Sequence, residues 1–304
     1  MFLIPNCDKL GYSMKMTKLL LAKDVVESNI PLLNNKCLEL KKAGLVPKMR
    51  VIIVGDNPAS VLYIKNKRKL CQRVSADFEI VELPESIGKE EFLKRIEEMN
   101  TDKSVTGCFV QLPIPKHLQD IDVTNLIDPH KDVDGFHAKS IINIYKDNKK
   151  GFIPCTPKGI LKLLDHYKIE LEGKHVVVIG RSLIVGKPMS LLLNNKNATV
   201  TMCHSKTRNL TEHTKSADII ISAVGKAKFL KSDYLNDSGN QILIDVGINK
   251  DENNKTCGDI DFDNVKDKVY AITPVPGGVG PLTVLSLIEN LLLATENTLK
   301  DGKS

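Results

Sequence analysis

No stretch of the 304-residue sequence approaches the run of about 20 apolar residues that a membrane-spanning helix needs, so no membrane partner is expected. A dense basic stripe is also missing. The 43 Lys and Arg against 37 Asp and Glu leave a scattered net charge of +6, which argues against a nucleic-acid partner and favours small anionic ligands. The seven cysteines (Cys7, Cys37, Cys71, Cys108, Cys155, Cys203, Cys257) contain no CxxC pair. Neither a disulfide framework nor a metal site is therefore expected, and the thiols read as reduced core residues of a cytoplasmic protein. The opening residues, MFLIPNCDKLGYSMKM, lack the clean apolar segment of a signal peptide. Residues 1–16 read as a flexible leader, or as an extension before an alternative start at Met14 or Met16.

What is present suffices for about two domains, each able to bury a core. The most informative stretch is residues 57–74, NPASVLYIKNKRKLCQRV. Asn57 is a good N-cap and Pro58 suits the first helical turn. At about 100° per residue, Ser60, Tyr63, Ile64, Lys67, Leu70, Cys71 and Val74 share one arc, with Lys65, Arg68, Lys69 and Gln72 opposite. Lys67 thus stands in an apolar face. A lysine can snorkel its ammonium out along such a wall. The alternative is a desolvated amine, shifted toward a usable acid/base pKa and sharing a pocket with Tyr63 one turn earlier.

Around this helix the pattern is βαβαβ. Residues 18–42 read as one long helix, its apolar spacing interrupted at Pro31, closed by Gly44 and packed on the first sheet. RVIIVG (50–55), DFEIVEL (77–83) and TGCFVQL (106–112) read as parallel strands, with a helix over 89–100. Ligands of such sheets lie beyond the carboxyl ends of the strands, where Gly55 and Gln111 stand. The connection 113–137 contains KDVDGFH, in which Asp132 or Asp134 could grip a polar ring or simply form an Asp-Gly turn.

A helix from Thr156 to Tyr167 precedes a second βα series. Residues 174–193, KHVVVIGRSLIVGKPMSLLL, read as strand, glycine turn and helix, with Gly180, Ser182 and Gly186 giving GxSxxxG in place of GxGxxG. The next strand, 198–202, runs into CHSKTR, where an NAD site would offer a carboxylate to the ribose. Ser205, Lys206 and Arg208, with Arg181 across the turn, suit a 2′-phosphate, so NADP is expected over NAD. Strands over 218–225, 241–247 and 269–273 follow. PVPGGVGP (274–281) is a stiff loop that allows close approach of a flat ligand, and residues 282–298 form a helix apolar on nearly every side, to be buried between domains.

Together VGDNPAS with YIKNK, VQLPIP, KDVDGFH, PCTPKG, GRSLIVGKP and TPVPGGVGPLTV resemble the bifunctional methylenetetrahydrofolate dehydrogenase/cyclohydrolase family, from about residue 20 to about residue 295. The resemblance implies a two-domain α/β enzyme of one-carbon folate metabolism and purine biosynthesis. An amino-terminal αβα folate domain would span 17–153 and take in the last helix, 282–298. A Rossmann-type NADP domain would span 154–281. Lys67 would be the principal catalytic residue, Tyr63 would stack on the aminobenzoyl group, Gln111 would tune Lys67, and Asp134 would hold the pterin. Pro276, Gly277 and Gly278 would line the folate cleft. Gly180, Arg181 and Ser182 would form the phosphate turn, Ser205 would meet the 2′-phosphate, and the Ile248 backbone would meet the nicotinamide. A homodimer is also implied. Two alternatives remain at this stage: a shikimate-type NADP dehydrogenase, and a non-catalytic dinucleotide sensor that would bind without turnover.

Overall fold

The structure is a computed structural model that describes residues 17–148 and 151–301. The leader proposed for residues 1–16 lies outside them. The chain begins with a short strand β1 (Lys18–Leu19) and helix α1 (Ala22–Lys42), then β2 (Lys48–Val54), α2 (Pro58–Arg73), β3 (Asp77–Leu83), α3 (Lys89–Thr101) and β4 (Gly107–Val110). These three longer strands form a parallel sheet in the order β3-β2-β4. The period of two along β2 decides its two faces. Met49, Val51 and Ile53 join a core shared with Leu285, Ile288 and Leu292, while Ile52 and Val54 meet Phe92, Ile96 and Met99 of α3. The result is the expected αβα layering.

Helices α4 (Val123–Leu126), α5 (Ala138–Tyr145) and α6 (Cys155–His166) lead to the second unit. Its elements are β5 (His175–Ile179), α7 (Gly186–Asn194), β6 (Thr199–Cys203), α8 (Leu210–Lys215), β7 (Ile219–Ser222), β8 (Ile242–Asp245), β9 (Asn249–Lys250), β10 (Thr256–Cys257), α9 (Phe262–Val265), β11 (Ala271–Ile272) and α10 (Gly280–Asp301). Strands β9 and β10 make a small antiparallel pair. The larger sheet runs β1-β11-β8-β7-β5-β6, parallel throughout. From β5 the chain goes to β6 on one side and returns to β7 on the other. The strand order therefore reverses at β5, and the crevice at its carboxyl end is where doubly wound sheets bind nucleotides.

The first helix is one continuous element, as expected, and only its first residues need correction. Helix α1 continues through Pro31. The proline faces solvent while Val26, Leu33, Cys37 and Leu40 hold both halves on the buried side, so the lost backbone bond falls on the wet face. That buried side packs on α10 and α6 and shares its core with Met49, Val51 and Ile53 of the first sheet, as expected. Residues Lys18 and Leu19, read as helix, instead pair with Ala271 and Ile272 on the second sheet. The expected burial of the last helix is observed: α10 lies against α6, α1, α2 and β4, with Leu282, Leu285, Ile288 and Leu291 fully enclosed.

The six cysteines among the described residues are all buried and free. Among those residues no helix is long and apolar enough to cross a membrane, and no group of side chains is arranged to hold a metal.

Candidate active site

Helix α2 starts as its sequence requires. The Asn57 Oδ1 accepts from the backbone N–H of Ala59 at 3.1 Å and of Ser60 at 3.2 Å. Ser60, Ile64, Lys67, Leu70 and Cys71 are buried along one face, with Lys67 only 7% exposed. The snorkelling alternative is thereby excluded. Tyr63, placed on the same arc, is 38% exposed and forms the rim of that face rather than its interior.

The Lys67 ammonium donates to Gln111 Oε1 at 3.1 Å and sits 3.9 Å from the centre of the Phe109 ring. Gln111 is anchored just past β4 by its own backbone N–H, 2.8 Å from the Ile52 carbonyl. Its Nε2 donates to the Leu112 carbonyl at 2.8 Å, which turns Oε1 toward the lysine. Burial lowers the Lys67 pKa, and the Asp134 carboxylate and the Cys155 and Cys71 thiols oppose that shift. Asp134 shows the converse: burial raises its pKa and Lys67 restrains the rise. An amine and a carboxyl, each pushed toward its neutral form and each held back by the other, make a coupled pair suited to handling protons.

Of the two acids weighed in KDVDGFH, Asp132 makes the turn. Its Oδ1 accepts from the Gly135 N–H at 3.1 Å and its Oδ2 from the His137 N–H at 2.8 Å. Burial, then the nearby Asp134 charge, raise its pKa to about 7, against the backbone N–H groups of His137, Gly135 and Phe136, which lower it. The unfolded carboxyl loses its proton near pH 4 and the folded one near 7, so the native state binds the extra proton between those values. Stability should therefore fall as pH rises from 5 to 7.5, by on the order of 2 kcal/mol from this group. Asp132→Asn keeps an acceptor in a neutral side chain, and urea midpoints for it should lose that slope. An unchanged slope would show that Asp132 is ionised throughout.

Sequence reasoning missed Asn290. This residue of α10 is fully buried, and its Nδ2 donates to the carbonyls of Val133 at 2.8 Å and Ile153 at 3.0 Å. Lys158 Nζ donates to its Oδ1 at 2.9 Å and so fixes the amide orientation. The Cys155 thiol adds a second donor to Val133 O at 3.2 Å. The peptide immediately before Asp134 is thus locked to α6 and α10. The available signal was an amide set between the apolar pairs Leu287–Ile288 and Leu291–Leu292 of the helix.

A cleft of about 1050 Å³ opens beside this cluster. Tyr63, Asp245, Ile248, Pro276, Gly277 and Gly278 are among its walls, so five of the anticipated site residues meet in one space. Lys67, Gln111 and Asp134 do not line it. They gather on the next turn of α2 and behind it, so Tyr63 in the cleft wall and Lys67 in the buried cluster share one helix.

The residues anticipated for the dinucleotide's phosphates do not line the cleft but stand at the carboxyl ends of β5 and β6, whereas Ile248, anticipated for the nicotinamide, is in the cleft wall. Gly180 has φ +125°, and a Cβ there would lie 2.4 Å from the Ala223 carbonyl; one on Gly186 would lie 2.2 Å from the Gly180 carbonyl. Only glycine allows this close crossing. Ser182 Oγ accepts from the N–H groups of Val185 at 3.2 Å and Gly186 at 3.4 Å, shaping the start of α7. Pairing of Ile179 with Cys203 puts Arg181 and Ser205 at matching steps beyond the sheet, both exposed. These residues fit a dinucleotide with an extra phosphate: a glycine cradle at a helix start, with cations and a hydroxyl on the adjacent strand.

Comparison with known proteins agrees with this geometry. Residues 20–134 match the tetrahydrofolate dehydrogenase/cyclohydrolase catalytic domain and residues 154–299 match the NAD(P)-binding domain of the same family. The bifunctional protein FolD of Lachnoclostridium phytofermentans is 51% identical over 252 residues, 83% of this chain and 88% of the relative. The crystal structure of the bifunctional FolD dehydrogenase/cyclohydrolase from Campylobacter jejuni is 43% identical and superposes with a TM-score of 0.89, covering 93% of this chain and 99% of that one. The Trypanosoma brucei enzyme, solved with NADP cofactor and an inhibitor, is 29% identical with a TM-score of 0.87 over 93% of this chain and 98% of its own. With both halves matched in order, the chain belongs to the tetrahydrofolate dehydrogenase/cyclohydrolase family.

Proposed function

We propose that this protein oxidises 5,10-methylenetetrahydrofolate with NADP and hydrolyses the resulting 5,10-methenyl cation to 10-formyltetrahydrofolate. The observation that carries the reading is the buried Lys67 ammonium on Gln111, opposed to Asp134 and one helical turn from the Tyr63 cleft. A sensor without turnover would have no use for a lysine held in an apolar face. The shikimate-type alternative is not supported, since both matched halves are those of folate enzymes.

In this mechanism Tyr63 and the Pro276–Gly277–Gly278 wall hold the flat substrate, and Asp134 orients its pterin. The Arg181–Ser182 turn and Ser205 hold the phosphates, and the Ile248 backbone meets the nicotinamide. The bound dinucleotide supplies the hydride acceptor. Alignment of the two rings is what the protein contributes to that first step. In the second, water adds to the cationic carbon to give a carbinolamine. Its collapse needs a proton on the departing ring nitrogen, and Lys67 manages that proton, tuned by Gln111. We assign residues 17–153 with α10 to the folate side and 154–281 to the dinucleotide side. A cytoplasmic homodimer active in one-carbon metabolism and purine biosynthesis is the corresponding biological setting, supported by the family resemblance and the free buried thiols.

The test is turnover of methylenetetrahydrofolate with NADP or NAD, followed by NADPH fluorescence, which a chain without tryptophan leaves readable. Cofactor reduction with NADP, and methenyl absorbance that decays faster with enzyme than without, are expected. Tight NADP binding with no turnover would overturn the assignment in favour of the sensor.

A further inference from the structure

Two buried carboxylates outside the catalytic cluster tie together the loops at the carboxyl ends of β7 and β8. Asp259 is fully buried, and its carboxylate is saturated with donors. Its Oδ2 accepts from the N–H groups of Val224 at 2.6 Å and Gly225 at 3.2 Å, and from Ser222 Oγ at 3.4 Å. Its Oδ1 accepts from the Lys226 N–H at 3.0 Å and from Asn249 Nδ2 at 2.9 Å. A carboxylate offers about four lone-pair directions and no donor, so this set of partners suits an ion and no other side chain of its size.

Asp245, 3% exposed, holds the other half. Its Oδ1 accepts from Gly247 N–H at 3.1 Å and from Asp259 N–H at 2.8 Å, and its Oδ2 from Ile260 N–H at 2.9 Å. The fit is close on both sides: a Cβ on Gly247 would come within 2.0 Å of Asp259 Oδ1, and one on Gly258 within 1.9 Å of Asp245 Oδ2. Between the two anchored positions, Gly247 and Asn249, stands Ile248, a residue 52% exposed in the cleft wall.

We propose that Asp259 is a positioning residue for the oxidation step, fixing the 247–249 segment to the 222–226 turn so that Ile248 presents its backbone to the nicotinamide half of the bound dinucleotide. The inference rests on the function proposed above. It assigns Asp259 no contact with substrate or cofactor. Its influence runs through Asn249 and the three successive amides of residues 224–226, which it pins to one point. A displacement of a reacting ring by about 1 Å costs large factors in rate, whereas the 2′-phosphate end, held at Arg181 and Ser205, is untouched.

The experiment is Asp259→Asn in the full-length protein. An amide of equal size turns an NH₂ toward backbone donors whichever way it lies, so the clamp opens without a cavity. The kcat of NADP-dependent oxidation should fall about tenfold. Hydrolysis of added methenyltetrahydrofolate without dinucleotide should stay within about twofold, and the Kd for NADPH within about threefold. A role confined to holding the fold would lower both activities together, and that outcome, or no change in either, overturns the proposal. Should Asp259→Asn not fold, Asn249→Ala removes one strand of the same tie, and the same split, about threefold on oxidation alone, is required of it. The emission of bound NADPH reads the ring environment without turnover. If the wild-type protein turned over no folate, an emission changed by Asp259→Asn at unchanged Kd would still support the clamp, and an identical emission would sink it.

Discussion

Replacing Lys67 by methionine should abolish methenyl hydrolysis, by roughly 10²–10⁴-fold, while the protein stays folded and binds NADP as before. The expected size follows from the role: positioned proton transfer contributes that range, and Lys67 is the amine that Gln111 holds. The expected stability follows from the site. Methionine fills nearly the same volume without a charge, so neither a cavity nor an unpaired ion is left on the helix face. Asp134 loses the positive charge that restrains its pKa, and it answers by binding a proton, which removes the cost of an isolated buried carboxylate. The variant should therefore melt within a few degrees of the wild type, or above it, as happens when a buried charge gives way to an apolar group.

The pH profile supplies a second reading of the same side chain. Burial lowers the Lys67 pKa, so the neutral amine becomes available at lower pH than for a free lysine. Hydrolysis by the wild type should show a pH limb displaced below the ordinary lysine range. Lys67→Met should leave only the pH response of the uncatalysed reaction. Methenyl hydrolysis at a near wild-type rate in the variant would remove Lys67 from the mechanism altogether.

How much of this was legible beforehand depends on the range of the interactions involved. Strand β3 was read residue for residue, and the burial of Lys67 followed from a helical period spanning only a few turns, because alternation and the 3.6-residue repeat are local. The two-residue strand β1 was not legible. Lys18 and Leu19 carry no pattern of their own, and their partners Ala271 and Ile272 are remote in sequence. Pro31 does not end the single helix expected there: propensity marks a break, and contacts with α10 and α6 override it. At the site, the 38% exposure of Tyr63 was not legible, because an arc of positions does not say where a helix meets its neighbour. Asn290, Asp245 and Asp259 escaped because each looks ordinary in sequence. Their work is done by bonds to distant backbone, Val133 from Asn290 and Val224 from Asp259, and only the assembled loops reveal it.

The second large effect concerns cofactor choice. Arg181→Ala should raise the Kd for NADP by roughly 30-fold and leave the Kd for NAD within about threefold. The two dinucleotides differ in one phosphate, so a residue that serves that phosphate must discriminate between them. Arg181 is exposed and, among the described residues, forms no ion pair, so its guanidinium is not already spent within the chain. The backbone bond from Gly180 N–H to the Cys203 carbonyl, 2.8 Å, closes the ends of β5 and β6 together and brings the Arg181 turn and the Ser205 segment to the same edge. Nothing acidic follows β6 in CHSKTR, so the NAD-selecting carboxylate is missing and the phosphate meets no like charge. A charge-assisted hydrogen bond to such a group is worth about 1.5–3 kcal/mol, which sets the expected factor. Removal of an exposed, unpaired arginine should not shift the melting temperature, so weakened binding would not reflect unfolding. The salt dependence of NADP affinity should also become shallower in the variant. Equal losses for NADP and NAD would mean that Arg181 holds the shared pyrophosphate, and the 2′-phosphate would then belong to Ser205 with Lys206 and Arg208 alone.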